Sequence, residues 1–291
     1  MKYRVLHTTT YLYSAMVSVC HNAVHLAPRN TPHQRCLKTQ LDVTPTPART
    51  AERLDIFGNN ATFFAIQERH QKLEVSALSE VEVDSYSAPM PGVTPAWEDV
   101  RDGLMGENAR HQLDAVQFLY ESPYIAVNPE LPKYTLASFT PRRPVMEAAR
   151  ELTQRIHTDF KYDNKATSNN TSVAEAFAMR RGVCQDFAHV EIACLRSIGL
   201  AARYVSGYLM TTPPPGQPKL VGGDASHAWL SFYCPGFDWI DVDPTNDAVT
   251  SDKHILLAWG RDYGDVNPTK GVILGGGKHS IRVSVDVRPM M

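Results

Sequence analysis

Arg181-Gly182-Val183-Cys184-Gln185-Asp186-Phe187-Ala188-His189-Val190-Glu191-Ile192-Ala193-Cys194-Leu195-Arg196-Ser197-Ile198-Gly199 is the stretch on which the reading of this chain turns. It predicts a helix from Cys184 to Ile198, stopped at Gly199, a favoured residue just past a helix end. Phe187, Val190, Cys194 and Ile198 form one stripe, and Ala188, Ile192 and Leu195 the neighbouring one. A helix apolar over so much of its surface belongs inside a domain. Cys184 then lies in the first turn, where free N–H groups and the positive helix end favour a thiolate. The same N–H groups can receive an oxyanion formed by attack on a carbonyl. Taken alone, a structural cysteine at a helix start explains the residue equally well.

Downstream, Ser226–Tyr233 and Asp238–Val242 are strand-like runs joined by the turn chemistry of Cys234-Pro235-Gly236-Phe237, which predicts a hairpin. A turn centred between Pro235 and Gly236 sets His227 against the Asp243–Pro244 step and leaves Asp241 opposite Leu230. That register selects Asp243 over Asp241 as partner of the His227 imidazole, subject to the one-residue slip to which hairpins are prone. A helix-start cysteine, a strand histidine and an acid across the hairpin make a nucleophile, base and orienter set.

Around this unit the chain is α+β. From residue 2 to about 84, alternation such as Tyr3, Val5, Thr9 and Tyr11 against Lys2, Arg4, Thr8 and Thr10 predicts antiparallel strands, read as a sandwich. Gly58-Asn59-Asn60 is read as a hairpin turn. The expected division is an N-terminal β-domain over 1–90, a linker and helical segment over 91–140, and a core over 141–280. The alternating tail, 281–288, is free to return to the first domain. Pro144–Thr158 reads as a helix with Pro144 in its first position, and Ser172-Val173-Ala174-Glu175 as a capping box. A third core strand is expected at Ala202–Met210, followed by a loop, Thr211–Asp224, bordering the candidate site.

Composition bounds the function. Lys and Arg total 29 against 31 Asp and Glu, which lacks the basic surplus of a nucleic-acid footprint. No apolar run of about 18 residues occurs to suggest a membrane span. The opening MKYRVLHTTT lacks a signal-peptide core, so a cytoplasmic setting is expected. Five scattered cysteines (Cys20, Cys36, Cys184, Cys194, Cys234) do not read as a disulfide framework.

Gly182–His189, Gly199–Tyr208, His227-Ala228-Trp229, Trp239, Asp243-Pro244-Thr245-Asn246 and Gly260–Val266 together closely resemble the bacterial transglutaminase-like superfamily. The β-rich start is similar to the N-terminal domain preceding that core in many bacterial members. The resemblance implies a papain-like core, one central helix packed on an antiparallel sheet, with the triad at Cys184, His227 and Asp243. It further implies acyl transfer through a thioester at Cys184 on a peptide or amide substrate, as hydrolysis by a protease or amidase or as amine transfer. A binding or scaffold protein with a vestigial site is the alternative. No cofactor is expected. No acidic calcium loop is present, and the metal-like spacing of Cys20, His21 and His25 lacks a nearby carboxylate. Tyr162 and Gln185 are candidates for a second oxyanion donor. His189, Cys194 and Cys234 are read as structural, and Trp229, Trp239 and Tyr208 as core or groove residues.

Overall fold

The computed structural model describes residues 1–106, 112–211 and 226–290. The expected loop Thr211–Asp224 therefore falls, apart from Thr211, outside the described residues. Strands β1 (Lys2–Val24), β2 (Gln34–Thr44), β3 (Arg49–Leu54), β4 (Asn60–Ile66) and β5 (His70–Val83) open the chain. Helices α1 (Trp97–Met105), α2 (Leu113–Val116), α3 (Glu130–Leu136) and α4 (Val145–Asp159) follow. Next come β6 (Lys161–Tyr162), α5 (Val173–Met179), β7 (Arg181–Gly182) and α6 (Cys184–Ser197). The chain continues through β8 (Ala202–Leu209), β9 (Ser226–Cys234), β10 (Asp238–Asp243), β11 (Ala248–Val249) and β12 (His254–Gly260). It closes with α7 (Tyr263–Val266), β13 (Thr269–Gly275) and β14 (His279–Met290).

The N-terminal strands are hydrogen-bonded into one antiparallel sheet, ordered β2-β5-β1-β4-β3, with β1 common to two halves. The reason is the length of β1. Its first half pairs with β5 and β14, its second with β4 and β13, so a single strand serves both halves. The alternating tail thus returns to β1, with Val5 opposite Val287. A hairpin turn forms here but spans Asp55–Asn59, between paired Leu54 and Asn60, so Asp55–Phe57 belong to the turn and Asn60 to the strand; Gly58 has φ +73°. Pro144 precedes α4 as its N-cap instead of occupying the first helical position. The Ser172–Glu175 capping box is present, both halves of it bonded.

The core sheet runs β11-β10-β9-β8-β12 and is antiparallel in all its pairings. One face packs on α6, in which every residue from Gln185 to Arg196 is buried. Each large apolar side chain so buried contributes about 1.5–3 kcal/mol. Arg196 is tolerated there because it donates to the carbonyls of Ala202, Tyr120 and Arg261. The helix stops as read, with Gly199 at φ +82° and Leu200 N–H returning to the Leu195 carbonyl.

The N-terminal sheet is fastened to the core's edge strand by two side-chain amides. Gln34 bonds both main-chain groups of Leu256 (2.7 and 2.8 Å), and Asn59 does the same for Trp259 (2.8 and 2.9 Å). These bonds fill hydrogen-bonding positions that an edge strand leaves open. No helix among the described residues is long and apolar enough to cross a membrane.

Candidate active site

Cys184 opens α6, as its position after Gly182 predicts, and is partly exposed. Asp186 organises this helix start. Its Oδ2 accepts from the Val183 N–H (2.8 Å) and the Thr167 hydroxyl (2.7 Å), and a Cβ at residue 182 would run into that carboxylate. With Asp186 committed there, the N–H groups of Cys184 and Gln185 lie in the first turn, where helices provide no internal acceptor. Gln185 is buried and its amide reaches the Asn169 carbonyl (3.4 Å), while Tyr162 is exposed. Neither side chain is tied to the thiol by a hydrogen bond among the described residues.

The β9–β10 hairpin differs by one residue from the expected register. Cys234 pairs with Asp238 and Leu230 with Val242, because the loop holds three residues, Pro235 to Phe237, with Gly236 at φ +83°. Asp241 therefore pairs with Ser231, and the continued ladder brings Asp243 opposite Trp229. His227 is two positions from Trp229 and so shares its face, a diagonal neighbour of Asp243. The slip helps: the expected register would have put Asp243 and His227 on opposite faces. Asp241 is instead engaged by the Trp229 indole N–H (2.9 Å) and the Ser231 hydroxyl.

His227 Nε2 lies 2.7 Å from Asp243 Oδ2, and Cys184 sits close enough to the ring to act on its proton. The structure thus brings the three sequence-selected residues together, with His227 and Asp243 hydrogen-bonded and Cys184 acting on the same ring. Asp243 is fully buried and surrounded by donors. Its Oδ2 accepts from His227, from Asn246 Nδ2 (2.6 Å) and from His254 Nε2 (3.3 Å). Its Oδ1 accepts from the N–H groups of Thr245 (3.0 Å) and Asn246 (3.3 Å).

Burial opposes charge on this carboxyl, but the hydrogen bonds from His227 and His254 hold it well below the usual carboxylate range. Burial likewise pulls the His227 imidazole down. The hydrogen bonds and charges of Asp243 and Cys184 overrule it and raise the ring to about 10. The arrangement therefore favours a protonated imidazole held between an acid and a thiol.

His254 has no counterpart among the residues selected from sequence. It begins β12, two strands from β9, and no local pattern marks it. His227, Asp243 and His254 bring three ligand-type atoms within 4.8 Å of one another. Both rings reach the Asp243 carboxylate through hydrogen bonds. Cys20, His21 and His25 form no such group. Cys20 is buried beside the Asn22 amide, His21 is exposed, and His25 lies 3.4 Å from Asp55.

The remaining candidates are structural. His189 accepts from the Tyr263 N–H (3.2 Å), and burial pushes its ring down to about 3. Cys194 and Cys234 are buried, their thiols pushed up to about 12 and about 11 by that burial. Tyr208 is buried against His7 (2.9 Å). Trp229 and Trp239 line a cavity of about 520 Å³ between the two sheets, which also includes His254 and the buried Arg203. Neither Cys184 nor His227 lines it, so the cavity lies behind the reactive groups.

Residues 3–82 match the bacterial transglutaminase-like N-terminal region, and residues 134–244 match the transglutaminase-like superfamily. An uncharacterised protein of Mycobacterium tuberculosis is 41% identical, over 99% of this chain and 93% of its own length. One from Mycobacterium leprae is 32% identical, over 98% and 97% respectively. A protein-glutamine gamma-glutamyltransferase of Pseudomonas aeruginosa is 34% identical over 32% of this chain and 15% of its own. A crystal structure of a candidate cysteine protease from Cytophaga hutchinsonii superposes with a TM-score of 0.78. It is 23% identical in sequence and covers 99% of this chain and 90% of that one.

Proposed function

This chain belongs to the transglutaminase-like superfamily, and from that premise we propose that it is a cysteine-dependent acyl-transfer enzyme acting on peptide or amide bonds. The observation that carries the reading is the grouping of Cys184, His227 and Asp243, with the imidazole bonded to the acid at 2.7 Å and the sulfur at the mouth of a buried helix. In the first step the Cys184 thiolate attacks the substrate carbonyl, forming a C–S bond while the first-turn N–H groups receive the oxyanion. The tetrahedral species collapses, the C–N bond breaks, and the proton on His227 passes to the departing amine. Water then attacks the thioester, gives its proton to His227, and releases the acid as the C–S bond breaks.

Hydrolysis is the outcome proposed here. Amine transfer is the second reading, favoured by the partial match to the Pseudomonas transferase. The test is digestion of a denatured protein substrate with and without excess methylamine, read by mass spectrometry. Hydrolysis yields free carboxyl products that persist in methylamine, whereas transfer yields methylamides. Cys184→Ala should abolish both kinds of product while the chain stays folded. Products formed equally by Cys184→Ala overturn the assignment.

A further inference from the structure

We propose that His254 is a positioning residue, a second imidazole that shares Asp243 with His227 and thereby limits how tightly His227 keeps its proton. The inference rests on the acyl-transfer reading of Cys184, His227 and Asp243. Its starting point is the protonation pattern of the His254 ring. The Ser251 N–H donates to His254 Nδ1 (3.1 Å), so that nitrogen must carry the lone pair. The ring's own proton therefore sits on Nε2, aimed at Asp243 Oδ2 at 3.3 Å. His227 reaches the same oxygen at 2.7 Å.

Two imidazoles, together with the Asn246 amide (2.6 Å), thus share one oxygen of a carboxylate that no solvent reaches. In a medium of low dielectric, each donor withdraws negative charge that the others would use. Among the described residues, His227 on β9 and His254 on β12 bond this carboxylate, and Glu191 on α6 acts on it through charge. Arg150 on α4 and Asp247 in the turn after β10 bear on Glu191, and Cys184 bears on His227. Of these, His254 supplies a neutral donor rather than a charge. It tempers Asp243 without cancelling it, which suits a ring that must first hold a proton and then surrender it to the departing amine.

The ring is held in place twice. It packs edge-to-face with Trp229 (centroids 5.3 Å apart, planes at 79°), and its strand is clamped by Gln34 from the N-terminal sheet at Leu256. The N-terminal domain therefore supports the strand that presents His254 to the site.

The test is a titration of the His227 ring by NMR on the full chain, labelled at histidine, in four variants. His254→Phe keeps the ring shape but removes the donor. His254→Gln carries an amide N–H to the Nε2 position, and His254→Asn is too short to reach it. Losing the donor returns charge to the His227–Asp243 pair, so Phe and Asn should raise the His227 midpoint by about half to one pH unit. Gln should stay near the wild type. Simple loosening of the site would move the midpoint the other way, because a displaced Asp243 holds the imidazolium less. An unchanged or lowered midpoint in Phe and Asn overturns the proposal, as does a shift in Gln equal to theirs. If the Phe chain does not fold, the Gln and Asn pair decides. Asp243→Asn, titrated alongside, separates the two claims. If Asp243→Asn fails to lower the midpoint, the underlying reading falls. If it does lower it while the His254 variants stay still, only the sharing falls.

Discussion

Replacing Asp243 by Asn tests what the buried carboxylate does. The anion accepts five hydrogen bonds, three on Oδ2 and two on Oδ1. An amide offers one oxygen, and its NH₂ must face at least two donors whichever way it is turned. The first consequence is electrostatic. His227 stands about 3.5 units above its ordinary 6.5, raised by Asp243 and Cys184 together against the opposing effect of burial. A hydrogen bond to a charged partner is worth about 1.5–3 kcal/mol, or about 1–2 pKa units at 1.36 kcal/mol per unit. The His227 midpoint should therefore drop from near 10 to about 8–9 in the variant.

The sign follows from linkage. A histidine raised on folding stabilises the fold below its unfolded midpoint, and that stability fades as pH rises through the folded one. The variant should lose part of it below about pH 6.5 and show a weaker fall toward pH 10. The second consequence is orientation, since an amide can hold the imidazole in the wrong tautomer. Loss of this orienting acid in a serine protease costs roughly four orders of magnitude in turnover. A sulfur nucleophile is intrinsically more reactive than a serine hydroxyl, which softens that dependence, so a loss of about a hundredfold or more is expected here. The assay is histidine-detected NMR titration paired with turnover of the confirmed substrate. A midpoint within half a unit of the wild type, with turnover unchanged, would refute the reasoning.

Two further perturbations follow from the same structure. Glu191 is fully buried on α6, and burial, with Asp243 and Asp247 adding to it, pushes its carboxyl up to about 8 from 4.5. Between those pH values the folded chain holds a proton the unfolded chain has released, so stability falls as pH rises across that window. Glu191→Gln should flatten the fall in melting temperature between pH 5 and 8, and parallel curves for the two chains would contradict this. Gln34→Ala strips both main-chain groups of Leu256 of their partners. Such losses cost about 1–3 kcal/mol each, and water entering the adjoining cavity should hold the total near 2 kcal/mol. Urea unfolding midpoints measure it, and a change below about 0.5 kcal/mol would dismiss the clamp.

Local patterns were the legible part of the chain. The stretch from Cys184 to Gly199 carries its own start, stop and burial signals, and α6 follows them to within a residue. The strands at 202–209, 226–234 and 238–243 likewise match their alternation and turns. The hairpin register was not legible, because Cys234-Pro235-Gly236-Phe237 accommodates a two- or a three-residue loop. The left-handed conformations of Gly236 and Asp238 settle it only in three dimensions. The single N-terminal sheet was hidden for a related reason. Alternation reports that β1 is a strand but not that its 23 residues serve four partners. His254 was beyond reach, since its role depends on β12 lying beside β8, two strands from the His227 strand. The clamps join residues 222 and 200 positions apart, Gln34 to Leu256 and Asn59 to Trp259, and leave no mark on local sequence.

The central claim is that one thiol of five is held reactive by the imidazole it touches. Labelling the folded wild-type chain with limiting iodoacetamide near neutral pH, then mapping modified peptides by mass spectrometry, tests it most directly. The account predicts that Cys184 is alkylated at least tenfold faster than the partly exposed Cys36. It also predicts that His227→Ala removes most of that advantage. Labelling of Cys184 at the pace of Cys36, or undiminished labelling without His227, would contradict it.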